Sequence, residues 1–316
     1  MLKLYCNKMK ILITDKISTE LLSLLKKNNI QYKININDSK SKILEIINEF
    51  DGLIVRNRLT IDANFLHKAK KIKFIGRYGS GMELIDLTTA KQLNINCFNS
   101  GEGNANAVAE HNLGMLLSLL KNIHSSSKQV SKFIWDRENN RGVEIEGSTI
   151  GVIGYGNTGK AFCDKLMNFN CKIIVYDKYK SGFGNNIIRE DELESIYRNC
   201  NIISFHIPLN KENKYIFSKQ FIDKMNKPFY LLNTSRGAIV NTSDLIEGLK
   251  MNKILGAGLD VIENENINFK NIKINQNLNY LVNCEKVILT PHIAGLSINA
   301  NKKISKTLIK KILKQK

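Results

Sequence analysis

Gly151-Val152-Ile153-Gly154-Tyr155-Gly156-Asn157-Thr158-Gly159 is the stretch of this sequence whose residue types and spacing point most clearly to chemistry. That chemistry is anion binding by the backbone. An apolar strand over 149–153 enters a tight turn at Gly154, the missing side chain at Gly156 lets the main chain approach a pyrophosphate, and Gly159 permits close helix–strand packing. Asn157 and Thr158 complete the turn. A helix over 160–169 then offers unpaired N–H groups and the positive end of its dipole to phosphates. A second strand over 171–176 ends at Asp177, about 20 residues beyond the loop, where a carboxylate accepts from a ribose hydroxyl. A negative charge there repels a 2′-phosphate, so NAD is favoured over NADP, and Lys178 and Lys180 just beyond could soften the preference. Glycines at this spacing also occur in ordinary surface turns. Strand, turn, helix, strand and acid in succession point to a dinucleotide.

Those elements sit within a longer alternation. Strand patterns at 10–14, 31–36, 53–56 and 73–77 are separated by helical patterns at 18–27, 41–49 and 62–69, which implies a parallel sheet covered on both faces. Residues 106–123 read as one long apolar helix that carries the chain from one domain to the other. Strand patterns at 150–154, 172–177, 202–206, 229–234, 256–261 and 287–290 make a doubly wound nucleotide sheet. A last helix over 297–313 is expected to pack back on the first domain. The fold class is therefore α/β, with two Rossmann-like doubly wound parallel-sheet domains and a cleft between them. Residues 1–104 and 293–316 are assigned to a flavodoxin-like substrate (catalytic) domain and 105–292 to an NAD-binding Rossmann domain.

Composition sets the outer bounds. With 316 residues, 43% of them apolar, the chain can fill two cores. No apolar run reaches the length of a membrane span. The start lacks the sustained apolar region and cleavage site of a signal peptide, so residues 1–8 read as a disordered or variably started leader. Cys6, Cys97, Cys163, Cys171, Cys200 and Cys284 show no CxxC or Cys/His ligand spacing, so buried free thiols in a reducing cytoplasm are expected, and no metal. The net charge of +18 invites a nucleic-acid reading. Lysine is spread over nearly every segment, however. Its densest cluster, Lys302 to Lys316, interleaves with Ile304, Leu308, Ile309 and Leu313 at helical spacing, the mark of an amphipathic helix with a solvated basic face. Nucleic acid is not expected as a partner, and the positive field instead suits a small anionic 2-hydroxy or 2-oxo acid.

Three more motifs fall at strand ends of the second sheet: Asn233-Thr234-Ser235-Arg236-Gly237, Gly258-Leu259-Asp260-Val261 followed by Glu265, and Pro291-His292-Ile293-Ala294-Gly295. With the glycine turn, Val55-Arg56, Gly76-Arg77-Tyr78-Gly79-Ser80-Gly81, Val108-Ala109-Glu110-His111 and His206-Ile207-Pro208-Leu209, the sequence resembles the D-isomer-specific 2-hydroxyacid dehydrogenase family over nearly its whole length. The resemblance implies that His292 is the general acid–base group, a role suited to an imidazole that titrates near neutrality. Glu265 would orient it and stabilise the imidazolium, and Arg236 would hold the substrate carboxylate as a planar fork. Asp260 would hydrogen-bond the nicotinamide end of the cofactor. Ser80, His206, Pro208, Thr234, Ser235, Arg236, His292, Ala294 and Gly295 join the glycine loop and Asp177 as expected cofactor contacts. On residue type alone, Arg236 also fits a surface salt bridge, Glu265 a solvated loop position, and Glu263 competes with it for His292. The family usually has proline after this glutamate, where this chain has Asn266. His67, His111, His124 and His206 suit structural roles, with His206 also placed to line the cofactor pocket.

On the substrate side, Gly79, Ser80 and Gly81 would present backbone N–H groups to the carboxylate as an anion nest. Leu84 stands where the family often has asparagine. Arg56 and Arg137 match arginines that the 3-phosphoglycerate dehydrogenase branch uses near the phosphate, and 135–156 as a whole is similar to bacterial members of that branch. Arg137 and Arg141 could instead pair with Glu138, Glu144 or Glu146 on the surface. The expectation is thus a short phosphoglycerate dehydrogenase without the serine-sensing domain, binding NAD and acting in serine biosynthesis. A glyoxylate/hydroxypyruvate or other D-2-hydroxyacid reductase is the alternative, and an NAD-sensing binding protein without metabolic turnover is a third reading. A homodimer is expected from the resemblance of the helix at 106 and the Trp135 segment to the family's subunit contact.

Overall fold

A computed structural model of the chain describes residues 9–263, 265 and 274–315. The leader reading for residues 1–8, with Cys6, and the Asn266 position lie outside the described residues. The chain divides into two compact units, Met1–Asn104 with Leu296–Lys316, and Ala105–Gly295.

The first unit runs β1 (Lys10–Ile13), α1 (Thr19–Lys27), β2 (Gln31–Ile34), α2 (Lys40–Ile46), β3 (Gly52–Val55), α3 (Ala63–Lys68), β4 (Phe74–Arg77), α4 (Leu87–Gln92) and β5 (Asn96–Asn99). Its five strands pair in parallel in the order β2-β1-β3-β4-β5, a doubly wound order of the flavodoxin type. β3 and β4 are buried from end to end, as parallel strands covered on both faces must be. Helix starts are set locally: Ser18 accepts from Glu20 N and Asp62 from Phe65 N, each satisfying a first-turn donor. The sequence reading missed α4 and β5. β5 is an edge strand with no buried residue, and Leu87 and Leu93 face solvent, so the apolar periodicity there is faint.

The second unit runs α5 (Ala105–Leu120), α6 (Ile123–Val130), β6 (Thr149–Ile153), α7 (Asn157–Leu166), β7 (Lys172–Tyr176), β8 (Ile188–Glu190), α8 (Leu193–Asn199), β9 (Ile202–Phe205), α9 (Lys219–Lys224), β10 (Phe229–Asn233), α10 (Thr242–Lys250), β11 (Ile254–Leu259), α11 (Gln276–Asn283) and β12 (Val287–Leu289). Its seven strands are parallel in the order β12-β11-β10-β9-β6-β7-β8. This is the dinucleotide-binding order with one strand added at the β12 edge. The strand beyond the six read from sequence is β8, three residues of which two are polar. The single helix read over 106–123 is two, because Asn122 takes a left-handed φ of 53° and breaks the hydrogen-bond ladder between α5 and α6. Asparagine is among the few non-glycine residues that tolerate that region. One core cluster packs Phe205, Phe217, Phe221 and Phe229 at tilted or edge-on angles. Each such ring contributes about 2–3 kcal/mol of burial, which fixes β9 and β10 and hence the loops at their ends.

The chain closes with α12 (Ile298–Leu313), which belongs to the first unit. Ile304, Leu308 and Ile312 are buried, and Ser305 Oγ lies 3.3 Å from Ser18 Oγ. Lys302, Lys303, Lys306 and Lys310 are exposed, the solvated face read from the sequence. No helix among the described residues is long and apolar enough to cross a membrane.

Candidate active site

Strand order in the second unit reverses between β6 and β9, and in open α/β sheets ligands bind at the carboxyl ends of the strands beside such a switch. The glycine loop leaves β6 at that point. Gly154 has φ +99°, and a Cβ there would lie 2.6 Å from His206 O, so no other residue fits without backbone movement. Gly159 closes the turn, since its Cβ would meet Gly154 O at 2.0 Å. A Cβ on Gly156 would meet nothing within 4 Å, so the main chain is open to a ligand there. Gly156 is also the N-cap of α7, and no side chain caps the helix. Asn157 and Thr158 form the first turn, where N–H donors without partners inside the helix suit an anion. The cradle fits a pyrophosphate.

Asp177 follows β7. Its Oδ2 accepts from Tyr155 N at 2.7 Å, and its Oδ1 from Tyr179 N and Lys180 N at 2.9 and 3.0 Å. The carboxylate is thus locked against the glycine loop with acceptor capacity to spare. The two lysines that could have softened its preference are engaged elsewhere. Lys178 Nζ pairs with Glu212 at 2.6 Å, and Lys180 Nζ donates to Tyr155 O at 2.8 Å.

His206, at the end of β9, is 8% exposed. Its Nδ1 lies 3.3 Å from Thr158 Oγ1 and its Nε2 2.9 Å from Ser204 Oγ. Burial pushes its pKa down to about 3, so the ring is neutral at physiological pH. Pro208 follows on the surface, and its carbonyl accepts from Asn213 Nδ2 at 2.8 Å.

The proton-handling pair lies beyond β11 and β12. His292 Nδ1 is 2.8 Å from Glu265 Oε2. Of the two carboxylates open on sequence, it is Glu265 that reaches the ring. Glu263 instead accepts from Tyr215 OH and from Thr242 N at 3.1 Å. Those bonds hold its carboxyl below the usual range although burial opposes them.

His292 itself has φ +54°, a left-handed conformation that costs a non-glycine residue about 1–2 kcal/mol. Asp260, only 1% exposed, holds it there. Asp260 O accepts from His292 N at 2.8 Å, Oδ1 accepts from Thr290 Oγ1 at 2.6 Å and Ile293 N at 2.8 Å, and Oδ2 accepts from Ala294 N at 2.8 Å. At about 1 kcal/mol each these bonds outweigh the strain. His111 Nε2 supports the cluster from α5, 2.9 Å from Thr290 Oγ1. The Asp260 carboxylate, expected at the nicotinamide, is thus committed in this structure to the turn that presents His292, and Ala294 and Gly295 follow that turn.

Thr234, Ser235 and Arg236 leave β10 in a turn built by buried Asn233. Asn233 Oδ1 accepts from Ser235 N at 3.1 Å and Ser235 Oγ at 2.7 Å, and its Nδ2 donates to Arg236 O at 2.9 Å. Arg236 NH1 donates to Ser235 O at 2.7 Å. Residues 233–236 therefore form a rigid corner.

In the first unit, the loop after β4 is shaped by Arg77, whose guanidinium donates to Gly81 O, Tyr78 O and Asn57 Oδ1. Gly79 N is already given to Ser100 Oγ and Arg77 O, both at 3.0 Å. The expected nest of N–H donors therefore narrows to Ser80 and Gly81. Ser80 Oγ donates to Asn104 Oδ1 at 3.0 Å. Arg56 lies over the Tyr78 ring, 6.0 Å from its centroid. Arg137 is exposed in the segment between α6 and β6. Arg141, its neighbour there, pairs with Glu138 at 2.7 Å.

Residues 113–294 match the family model described as D-isomer specific 2-hydroxyacid dehydrogenase, NAD binding domain. The chain belongs to the D-isomer-specific 2-hydroxyacid dehydrogenase family. Members of this family are NAD-dependent oxidoreductases, and the switch-point cradle lies within the matched NAD-binding segment. Among its relatives is a D-3-phosphoglycerate dehydrogenase of Archaeoglobus fulgidus, 28% identical over 292 residues, which are 91% of this chain and 53% of the relative. A hydroxypyruvate reductase of Thermotoga maritima is 30% identical over 276 residues, 87% of this chain and 88% of the relative. The chain spans about half the length of the phosphoglycerate dehydrogenases it matches. Among solved structures, the apo D-lactate dehydrogenase of Escherichia coli superposes with a TM-score of 0.77 at 26% identity, over 97% of this chain and 96% of that one.

Within this family member the sequence reading gave no role to Asn112, Ser204, Asn233 or Thr290. Ser204 precedes a histidine by two residues at a strand end, where alternate residues share a face, and that spacing is a usable signal, whereas Thr290 and His292 lie in the turn beyond β12. Asn112 is a polar residue in an otherwise apolar helix face, fully buried. Asn233 opens the Asn233–Gly237 motif, but its work is done through its own backbone neighbours.

Proposed function

We propose that this chain oxidises D-3-phosphoglycerate to 3-phosphohydroxypyruvate with NAD, in the cytoplasm, as a step of serine biosynthesis. The observation that carries the reaction class is the 2.8 Å contact between His292 Nδ1 and Glu265 Oε2. A histidine whose Nδ1–H is given to a carboxylate is fixed in tautomer and ring orientation. That assigns proton exchange with the substrate to Nε2: it takes the C2 hydroxyl proton in oxidation and returns it in reduction. The negative charge on Glu265 stabilises the imidazolium formed in between. The nicotinamide, when bound, takes the hydride from C2 in one direction and supplies it in the other.

Arg236 holds the substrate carboxylate and polarises the C2 oxygen, as a planar fork does better than a point charge. Ser80 and Gly81 are assigned as backbone donors for a substrate carboxylate. Gly154 to Gly159 hold the pyrophosphate and Asp177 the adenine-side ribose. Arg56 and Arg137 are assigned to the phosphate of the substrate. Arg56 lies against an aromatic ring and Arg137 projects from an exposed segment, and both settings suit capture of a dianion.

A second reading, hydroxypyruvate reduction, is favoured by the match to the Thermotoga maritima reductase over 88% of its length. We also assign the chain to a homodimer. Phe133 is 99% and Trp135 79% exposed, with Ile123, Val130 and Ile134 exposed in the same segment, and apolar patches of this kind mark interfaces. A panel of phosphohydroxypyruvate, hydroxypyruvate, glyoxylate and pyruvate with NADH, read by absorbance loss, tests the assignment. The largest kcat/KM is expected for phosphohydroxypyruvate, reduced at least about tenfold by Arg137→Ala. A larger kcat/KM for hydroxypyruvate would move the chain to the second reading, and no turnover of any of the four would leave an NAD-binding protein without this chemistry.

A further inference from the structure

A line of polar side chains runs through the interior of the second unit to the glycine loop. Asn112 on α5 is fully buried and its Nδ2 donates to Ser204 Oγ at 2.7 Å. Ser204, also fully buried, lies 2.9 Å from His206 Nε2, and His206 Nδ1 lies 3.3 Å from Thr158 Oγ1 in the first turn of α7. Helix α5, strand β9 and the phosphate-binding turn are thus joined by three hydrogen bonds.

Counting protons gives the line a direction. Ser204 Oγ accepts from Asn112, and His206 Nε2 is the one acceptor among the described residues for its buried hydroxyl proton, so that proton goes to Nε2. The ring is neutral, held so by burial, and its one proton is then on Nδ1 and is donated to Thr158 Oγ1. Thr158, already an acceptor, keeps its own hydroxyl proton to give outward. The starting orientation of Asn112 is set by cost. Its Oδ1 is buried with no partner among the described residues and Nδ2 gives one of its two hydrogens to Ser204, whereas the flipped amide would pair the oxygen and leave both N–H donors orphaned, and a buried orphan N–H is rarer in native structures than an under-satisfied carbonyl oxygen.

We infer that Asn112 and Ser204 are positioning residues for the dinucleotide. Acting through His206, they fix the Thr158 hydroxyl as a one-way donor to the pyrophosphate. With the chain reversed, Thr158 would present lone pairs to an anion and repel it. The inference rests on the reading of the glycine loop as the pyrophosphate cradle.

The test is a binding series by calorimetry on the full chain, with ADP-ribose, which has the pyrophosphate, and adenosine, which has none. Thr158→Val is expected to weaken ADP-ribose about tenfold and Ser204→Ala about three- to fivefold, the loss of one charge-assisted bond and of its orientation respectively. The double variant should bind like Thr158→Val alone, and adenosine should bind all three proteins like the parent. Additive losses, or equal losses for adenosine, would overturn the inference. A parent chain that binds neither NAD nor ADP-ribose would instead bring down the cradle reading beneath it. The unsubstituted protein gives an independent check that needs no variant to fold. Histidine-labelled nitrogen NMR should show His206 as the neutral Nδ1–H tautomer from pH 6 to 8, and an Nε2–H tautomer would overturn the inference.

Discussion

His292 Nδ1 and Glu265 Oε2 stand 2.8 Å apart, although 27 positions separate them in the chain. Neither residue lies in a helix or strand. The meeting depends on Asp260, which binds the backbone on the far side of His292 and holds it left-handed. Acid–base geometry here comes from one buried carboxylate shaping a turn and a second, partly exposed carboxylate orienting the ring.

Arg236 should not tolerate lysine. Arg236→Lys keeps the charge but loses the fork that matches a carboxylate. The KM for the 2-oxo acid is expected to rise about tenfold or more while calorimetric affinity for ADP-ribose is retained. A variant with unchanged KM would remove Arg236 from the substrate.

Cofactor choice should follow Asp177. Charges about 4 Å apart near a protein surface interact by up to about 4 kcal/mol, and the neighbouring lysines are tied to Glu212 and Tyr155. Asp177→Asn keeps the shape, removes the charge, and should raise the NADP:NAD ratio of kcat/KM by about 10- to 100-fold. An unaltered ratio would place the discrimination elsewhere.

His206 makes stability depend on pH. Its folded pKa, near 3, lies below the ordinary value of 6.5. The unfolded chain therefore binds a proton that the folded chain does not between those limits. Stability from this group is full above about pH 6.5 and is lost as pH falls towards 3, by at most about 1.4 kcal/mol per pH unit. Denaturant titrations at pH 5 and 7 should show the decline, and it should be smaller in His206→Gln. An equal decline in both proteins would argue against a neutral buried ring.

The exposed segment carrying Phe133 and Trp135 should govern assembly. Light scattering at micromolar concentration is expected to give a dimer for the parent and a monomer for Phe133→Ser/Trp135→Ser, with each protein folded by circular dichroism. A parent that is monomeric would contradict the assignment.

The glycine loop, Asp177 and most of both sheets were legible because each is encoded locally, by spacing, periodicity and turn chemistry. β5 and β8 were not, since short edge strands with polar residues carry little periodic signal. The break at Asn122 is a single-residue event inside an apolar run. The choice between Glu263 and Glu265 was closed to the sequence for a different reason. Both lie in one polar loop, and Tyr215 and Thr242, which claim Glu263, come from elsewhere in the chain. Asn112 and Asp260 show the same limit. Their partners are set by tertiary contacts that no local pattern announces.

The most direct test of the central claim is kcat for 2-oxo acid reduction by Glu265→Gln measured beside Glu263→Gln. A loss of about 100-fold or more in the first, with the second within about threefold of the parent, is the expected result. Equal losses, or the larger loss in Glu263→Gln, would contradict the assignment of His292 and Glu265 as the acid–base pair.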